Sequence, residues 1–311
     1  MHSASKTRKK VRVNGIWLKV ALFTCLLGFI FWQLYSEDWS KMHAFDLKSP
    51  LLLVISFVLI IANQGCEWFK WKHIAQHLLS DKTAVRSAFF AGIGAGFLTP
   101  NGWGNFLGRM TYFRKRDRMF IVLATFVSNV SQVLPTIFYG AVACAFSDKL
   151  SLPLAGFVLA LGLIILIGYF FGEYLIPKRA TRNKTIRHFR IVQDRLSSLR
   201  WPLFFWSNVR FLVFSIQYVL LFMAFGYSDF WFLLIHVWLI FLLTSFVPSL
   251  WSGKIVIRET AAIFVFTDSM VAIPDVVLVS LIIWLFNNVL PAIVSSYVWL
   301  PISKKRSHVV D

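Results

Sequence analysis

The sequence predicts an all-α fold, a polytopic membrane helix bundle, and two sets of observations predict it. The chain of 311 residues is 58% hydrophobic with a mean hydropathy of +0.67. Its apolar residues also fall into runs that reach or approach the roughly 20 residues a helix needs to cross about 30 Å of hydrocarbon. These runs cover residues 16–36, 50–69, 119–145, 153–176, 203–226, 230–247 and 276–301. The first run is longer than the apolar core of a cleaved signal peptide, so we expect it to be a retained span.

The positions of the basic residues predict the topology. The formal net charge is +18, and the basic residues concentrate in alternate loops. Basic clusters lie at 6–12, 70–86, 114–118, 178–200 and 304–306, whereas the other loops carry mostly aspartate and glutamate. By the positive-inside rule, both termini are expected in the cytoplasm. Because topology accounts for the charge, we expect no nucleic-acid partner.

The chain is predicted to be a single integral membrane domain over 1–311 with two halves. The first half covers about 1–176 and the second about 203–301. The loop between them, 177–202, carries apolar residues at three- and four-residue intervals, with arginines on the other face. This pattern suits an amphipathic helix on an anionic lipid surface at the cytoplasmic side, and it suits a solvated linker between the halves equally well.

The first half contains an interrupted segment. Residues 87–113 lie between two basic clusters and are too apolar for a loop, so the segment is predicted to enter the membrane and return. It would run in through "SAFFAGIGAGFL", break at Thr99 to Gly102 and come back through "WGNFLGRMTYF". Proline ends a helix and glycine permits the reversal. Such backbone is tolerated at membrane depth only where protein or water satisfies it.

The second half contains a similar interruption within 230–267, at "FVPSLWSGKIVIRETAAIFVF". This segment either dips in from outside and returns, or crosses and re-crosses as a broken pair. Five residues of the first break correspond to five of the second with similar spacing: Phe97, Pro100, Trp103, Gly104 and Arg109 with Phe246, Pro248, Trp251, Gly253 and Arg258. The pairing predicts an inverted-repeat-like arrangement of two interrupted or re-entrant segments.

Two deep arginines mark the predicted site. An arginine at membrane depth costs about 3 kcal/mol or more, so Arg109 and Arg258 are expected to face a partner or a cavity. Half-helices that restart after Asn101 and Ser252 would add backbone donors for phosphate or carboxylate. The predicted substrate-binding residues are Arg109, Arg258, Asn101, Gly102, Trp103, Gly104, Asn105, Ser252, Gly253, Lys254 and Glu259.

Each of these charges has an alternative interpretation. Arg109 could snorkel to the cytoplasmic cluster at 114–118, and Arg258 could form a buried pair with Glu259. Glu67 is expected to form a local interfacial pair with Lys70, one turn later. Six further polar residues in the spans could line a polar path or bridge helices: Asn129, Gln132, Gln217, His236, Asn287 and Asn288.

Catalytic motifs are absent from the sequence. His73 and His77 are four residues apart, but no HExxH pattern is present, and no glycine-rich loop has the context of a nucleotide site. We therefore expect no enzyme activity, no catalytic residues, no metal and no cofactor.

The two interrupted segments resemble a known family. "TPNGWGNFLGR" (99–109) and "PSLWSGKIVIRETA" (248–261) are similar to the two signatures of the lysylphosphatidylglycerol-synthase transmembrane-region family, and the resemblance covers essentially the whole chain. It implies a flippase of the bacterial cytoplasmic (inner) membrane that moves a lipid with a polar or anionic headgroup between leaflets. We do not carry over the aminoacyl transfer of the fused members, because we expect no synthase domain after residue 311.

Two other functions stay open at the level of sequence. One is a membrane enzyme or enzyme subunit that acts on a lipid-linked phosphate or sugar, for which Glu259 is the candidate carboxylate. The other is a non-transporting envelope scaffold, which would tolerate substitution of both arginines.

Overall fold

A computed structural model describes most of the chain between residues 24 and 306. The described residues are 24, 28, 30–32, 35, 47–76, 82–99, 103–114, 117–147, 151–175, 197–246 and 253–306. All regular secondary structure within them is helical. The predicted all-α fold class is therefore confirmed.

Ten α-helices and one short π-helical turn follow one another along the described chain from residue 50. They are α1 (Pro50–Ala75), α2 (Lys82–Leu98), α3 (Trp103–Met110), α4 (Arg118–Phe146), α5 (Leu152–Leu175), α6 (Arg200–Ala224), α7 (Phe230–Phe246), α8 (Gly253–Phe266), α9 (Ile273–Trp284), the π turn (Leu285–Val289) and α10 (Leu290–Arg306). α9 continues through the π turn into α10, because the end of α9 and both ends of the turn keep helical backbone angles.

Five of these helical stretches are long and apolar enough to cross a membrane: Pro50–Ala75, Arg118–Phe146, Leu152–Gly172, Arg200–Ala224 and Ile273–Val298. Two shorter apolar helices, Ala84–Leu98 and Phe230–Phe246, accompany them. The chain is thus a membrane-embedded helical protein, as the apolar runs predict. The first predicted span and the 177–202 amphipathic loop lie mostly outside the described residues.

α6 lies at the centre of the bundle and packs against α1, α4, α7 and α9. The backbone N–H groups of Lys48 and Ser49 donate to the carbonyl of Ala224 at 3.1 and 3.2 Å, so the start of α1 meets the end of α6. The two helices are therefore antiparallel. At the other end of α6, the Tyr169 hydroxyl of α5 donates to the Arg200 carbonyl at 3.0 Å.

Two part-buried hydrogen bonds of the Tyr227 hydroxyl hold the loop after α6 to the start of α9. The Tyr227 hydroxyl donates to Asp275 Oδ2 at 2.6 Å and accepts from the backbone N–H of Ala272 at 3.1 Å. Burial, followed by the hydrogen bond to Asp275, raises the pKa of Tyr227, so the phenol stays a donor at neutral pH. Gly226 precedes it with a φ of +100°, a left-handed conformation that glycine adopts without steric cost.

α2 and α3 pack against each other with their backbones in contact. A Cβ added to Gly104 would lie 1.9 Å from the carbonyl oxygen of Ala95, and one added to Gly108 would lie 2.3 Å from that of Ala91. The Thr99 hydroxyl accepts from the Gly104 N–H at 2.5 Å across the break. Small residues four apart on both helices thus permit the close approach that membrane helices use.

The two predicted breaks separate helices in the structure. α2 ends at Leu98 before α3 begins at Trp103, and α7 ends at Phe246 before α8 begins at Gly253. Residues 100–102 and 247–252 themselves lie outside the described part.

Candidate functional site

A buried cluster of charged side chains surrounds Glu67 on α1. Its carboxylate contacts Lys70 at 3.5 Å, Arg109 of α3 at 3.2 Å and Arg210 of α6 at 2.9 Å. The side-chain amide of Gln132 on α4 donates to the same carboxylate at 2.9 Å. We call these five residues the Glu67 cluster. Four helices contribute to it, so it forms only when the bundle is assembled.

Three residues of the Glu67 cluster lie far from the ends of long helices, whereas Arg109 lies one residue before the end of the short α3. At 1.5 Å per residue, Glu67 is roughly 12 Å from the end of α1, and Arg210 is roughly 15 Å from the start of α6. Gln132 is roughly 21 Å from the start of α4. All three helices are long enough to span a membrane. The cluster therefore lies within the depth of the apolar bundle.

The cluster has an excess of positive charge and one accessible edge. Three basic side chains face one carboxylate, which leaves two positive charges in excess among the described residues. Lys70 and Arg109 are 0% and 1% exposed, whereas the side chains of Glu67 and Arg210 are 12% and 28% exposed. Arg210 thus forms the accessible edge and the other two cations are sealed behind it.

Arg109 is held in place by an aromatic ring and a glycine. Its guanidinium carbon lies 4.6 Å from the centre of the Trp71 ring, within the range of a cation–π contact. The Trp71 indole is itself fixed, because its N–H donates to the Val85 carbonyl at 2.9 Å. A Cβ at Gly92 would lie 2.8 Å from Arg109 Cγ and Nε, so only glycine leaves room for this side chain. The Nε of Arg109 and the Oδ1 of Asn105 are buried and have no hydrogen-bond partner among the described residues.

A chain of polar side chains extends from the Glu67 cluster along α1. The Nε of Arg210 donates to Asn63 Oδ1 at 2.9 Å, and the Asn63 amide donates to Asn287 Oδ1. Asn287 in turn donates to Gln217 Oε1 at 2.9 Å, and Gln217 donates to the carbonyl of Ser56 at 2.9 Å. We call these residues and the Glu67 cluster the polar seam. From Ser56 to Lys70 it covers roughly 21 Å of α1.

Asn287 enters the seam from the π turn between α9 and α10. A π turn widens the helix by one residue, and such turns occur frequently at functional sites. The Gln64 amide also donates to the Asn287 carbonyl at 3.4 Å.

A second charged cluster joins α8 to α9. Arg258 donates from one terminal nitrogen to Glu259 Oε1 at 2.9 Å and from Nε to Ser280 Oγ at 2.9 Å. The Ser280 hydroxyl donates to the same carboxylate oxygen at 2.8 Å. The hydroxyl of Tyr218 and the Oε2 of Glu259 are buried without a hydrogen-bond partner among the described residues. We call these four residues the Glu259 cluster; its two charges balance.

The structure assigns the predicted site residues to different places. Arg109, Asn105 and Gly104 lie on α3 against α2, and Arg109 joins Glu67 instead of snorkelling to the surface. Arg258 pairs with Glu259, the pairing that the sequence left open. Asn101, Gly102 and Ser252 lie outside the described residues. Trp103, Gly253 and Lys254 begin α3 and α8, and the described part of the chain does not include the environment of their side chains.

The six polar residues that could line a polar path or bridge helices also lie in different environments. Gln132, Gln217 and Asn287 belong to the polar seam. His236 packs against Phe266, with ring centroids 5.1 Å apart, and its Nδ1 lies 2.7 Å from the Phe232 carbonyl. Asn129 and Asn288 are exposed on the bundle surface.

Sequence reasoning missed Arg210 and the central position of Glu67. Arg210 is separated from Glu67 by 143 residues, so no local spacing connects them. The available signal was an isolated arginine within the apolar run 203–226, the same signal that marked Arg109 and Arg258.

Comparisons of the chain with family models, curated proteins and solved structures find no match.

Proposed function

We propose that this protein is a membrane transporter or flippase that moves a lipid with a polar or anionic headgroup between leaflets. One observation carries the proposal: the Glu67 cluster holds two positive charges in excess inside an apolar helix bundle.

Folding alone gives no reason for this excess. An arginine at membrane depth costs about 3 kcal/mol or more unless it is paired, and a buried pair does not require further cations. Arg109 and Arg210 each offer a planar set of N–H donors suited to two oxygens of a phosphate or carboxylate. The cluster therefore has the chemistry of an anion site, and an anionic headgroup is the anion that a membrane supplies.

The polar seam and its surroundings suit an amphipathic substrate. The seam continues for roughly 21 Å along α1, about two thirds of the hydrocarbon thickness. Its members Ser56, Asn63 and Gln217 are buried, so in this proposal α1 and α6 separate as the headgroup exchanges hydrogen bonds along the seam. Beside Arg210, the rings of Phe69 and Trp206 stack at 4.6 Å, and Phe69 is 40% exposed. In this proposal the headgroup follows the seam from the Arg210 edge while the acyl chains stay against apolar side chains.

The finer topology forms part of the same proposal. α2 and α3 are a re-entrant hairpin that delivers Arg109, and their backbone contact at Gly104 and Gly108 supports this. α7 and α8 form the corresponding interrupted segment of an inverted repeat. Both termini are cytoplasmic, the 177–202 loop contacts anionic lipid, and the membrane is the bacterial inner membrane, as the charge pattern and the family resemblance favour.

A leaflet-exchange assay tests the proposal. Purified protein is reconstituted into vesicles that carry tail-labelled phosphatidylglycerol, and label in the inner leaflet is followed by its protection from a membrane-impermeant quencher. We expect exchange with the wild type and not with empty vesicles. Arg210→Ala should lower the rate by roughly tenfold or more, because one close charge pair contributes at least about 1.4 kcal/mol.

The matched control is Asn129→Ala, which removes an exposed polar side chain of α4 outside the seam. It should exchange lipid at the wild-type rate. Equal rates for wild type, Arg210→Ala and empty vesicles, for phosphatidylglycerol and for phosphatidic acid alike, would rule out transport of anionic lipids and favour the scaffold or enzyme-subunit functions.

A further inference from the structure

The number of excess positive charges in the Glu67 cluster indicates the class of lipid that it binds. This inference rests on the proposed function. We infer that the Glu67 cluster takes a lipid whose headgroup carries two negative charges, a phosphomonoester or a diphosphate, in preference to a phosphodiester lipid with one.

The charge count leads to this class. Lys70, Arg109 and Arg210 all contact the single carboxylate of Glu67, so two positive charges stay uncompensated among the described residues. Coulomb interactions are weakly screened in an apolar interior, and an anion that removes the whole excess is favoured over one that removes half. A phosphomonoester carries roughly 1.5 to 2 negative charges at neutral pH, and a diester carries one.

The hydrogen-bonding groups agree with the charge count. Arg109 is 1% exposed, and its buried Nε has no hydrogen-bond partner among the described residues, so this N–H is a donor that a bound oxygen would satisfy. Arg210 is the accessible cation and would meet the headgroup first. A terminal phosphate has three unesterified oxygens, so it can contact both guanidinium groups at once. A diester phosphate has only two such oxygens, so it accepts fewer hydrogen bonds from the same donors.

Native mass spectrometry of the full chain in detergent tests the inference. The probes are dioleoyl phosphatidic acid, a phosphomonoester, and dioleoyl phosphatidylglycerol, a diester with the same acyl chains. Dioleoyl phosphatidylcholine serves as the neutral probe and glycerol 3-phosphate as the probe without acyl chains. We expect phosphatidic acid to bind roughly tenfold or more tightly than phosphatidylglycerol, because one additional close charge pair contributes at least about 1.4 kcal/mol.

Two variants of the accessible cation sharpen the test. Arg210→Gln lowers the excess to one charge, so the preference for phosphatidic acid should fall to about threefold or less. Arg210→Lys keeps the charge but loses the planar donor set, so both lipids should bind more weakly while most of the preference for phosphatidic acid remains. Arg210 is partly exposed, so both variants are expected to fold, and thermal unfolding of each sample verifies this.

The outcomes separate the two levels of the proposal. Equal binding of phosphatidic acid and phosphatidylglycerol, together with leaflet exchange of either lipid, would overturn the two-charge inference and leave the transport function standing. If glycerol 3-phosphate bound as tightly as phosphatidic acid, the site would still be one for a doubly charged phosphate, but the inference that its ligand is a lipid would be overturned. A preference for phosphatidic acid that persists unchanged in Arg210→Gln would overturn the assignment to this cluster.

Discussion

The two buried charged clusters differ in the balance of their charges and in their contacts. The Glu259 cluster pairs one arginine with one carboxylate, and Arg258 and Glu259 are 8% and 5% exposed. The Glu67 cluster places three cations around one carboxylate, with Arg210 at an accessible edge. A balanced, closed pair is sufficient to join α8 to α9. An unbalanced, partly open cluster costs more to bury, and this difference points to the Glu67 cluster as the binding site.

Removal of the central carboxylate should have the largest effect. In Glu67→Gln, three cations lose their common counterion, and breaking a buried pair costs about 3–5 kcal/mol. We expect at least the upper end of that range, because Lys70 and Arg109 cannot reach water. Thermal unfolding in detergent, followed by circular dichroism, measures the loss.

Gln64→Leu is the control for Glu67→Gln. Gln64 lies one turn earlier on α1 and makes one long hydrogen bond of 3.4 Å among the described residues, so its removal should change stability by less than about 1 kcal/mol. A Glu67→Gln protein as stable as this control would mean that the three cations do not depend on the carboxylate.

The Glu259 cluster should behave as a balanced pair. Arg258→Met leaves Glu259 buried without its counterion and should cost about 3 kcal/mol. The double change Arg258→Met with Glu259→Met removes both charges at similar volume, and it should cost less than about 1.5 kcal/mol. A double-mutant cycle on unfolding free energies measures this non-additivity, and additive costs would contradict the assignment of a structural pair.

The close contact between α2 and α3 positions Arg109 in the Glu67 cluster. A methyl group added at this contact should disrupt it. In Gly104→Ala, the new Cβ would lie 1.9 Å from the Ala95 carbonyl oxygen, so α3 must move away from α2 and take Arg109 with it. Overpacking of this kind costs about 1–3 kcal/mol, and lipid exchange should fall together with stability.

Gly168→Ala on α5 is the matched control, because a Cβ there meets nothing within 4 Å. Unfolding temperature and leaflet exchange of both variants are compared in the same vesicles. If Gly104→Ala retained both properties, α3 would not depend on close backbone contact with α2.

The fold was largely predictable from the sequence, and the candidate site only in part. Long apolar runs, and the proline and glycine residues that interrupt them, are signals carried by residues that are adjacent in sequence. They therefore located the helices and the interruption before Trp103. The same reasoning singled out Arg109 and Arg258, because a charge in an apolar run is costly wherever it lies. Which carboxylate each arginine contacts depends on how distant helices pack: Glu67 lies 42 residues from Arg109, but Glu259 is the neighbour of Arg258 in sequence.

Substitution of Arg210 should have the smallest effect on stability but should cause a large loss of lipid exchange. In Arg210→Leu, Glu67 keeps Lys70, Arg109 and Gln132, and repulsion among the cations falls because one of them is removed. The lost hydrogen bonds to Glu67 and Asn63 oppose this gain, so stability should change by less than about 1 kcal/mol. Lipid exchange should nevertheless fall at least tenfold, because the accessible cation is gone.

Unfolding temperature and exchange rate are measured on the same reconstituted sample. The control is the double change at Arg258 and Glu259, which should retain exchange. If Arg210→Leu lost stability and activity in proportion, the third cation would be a structural element of the bundle, and the contrast between the two clusters would disappear.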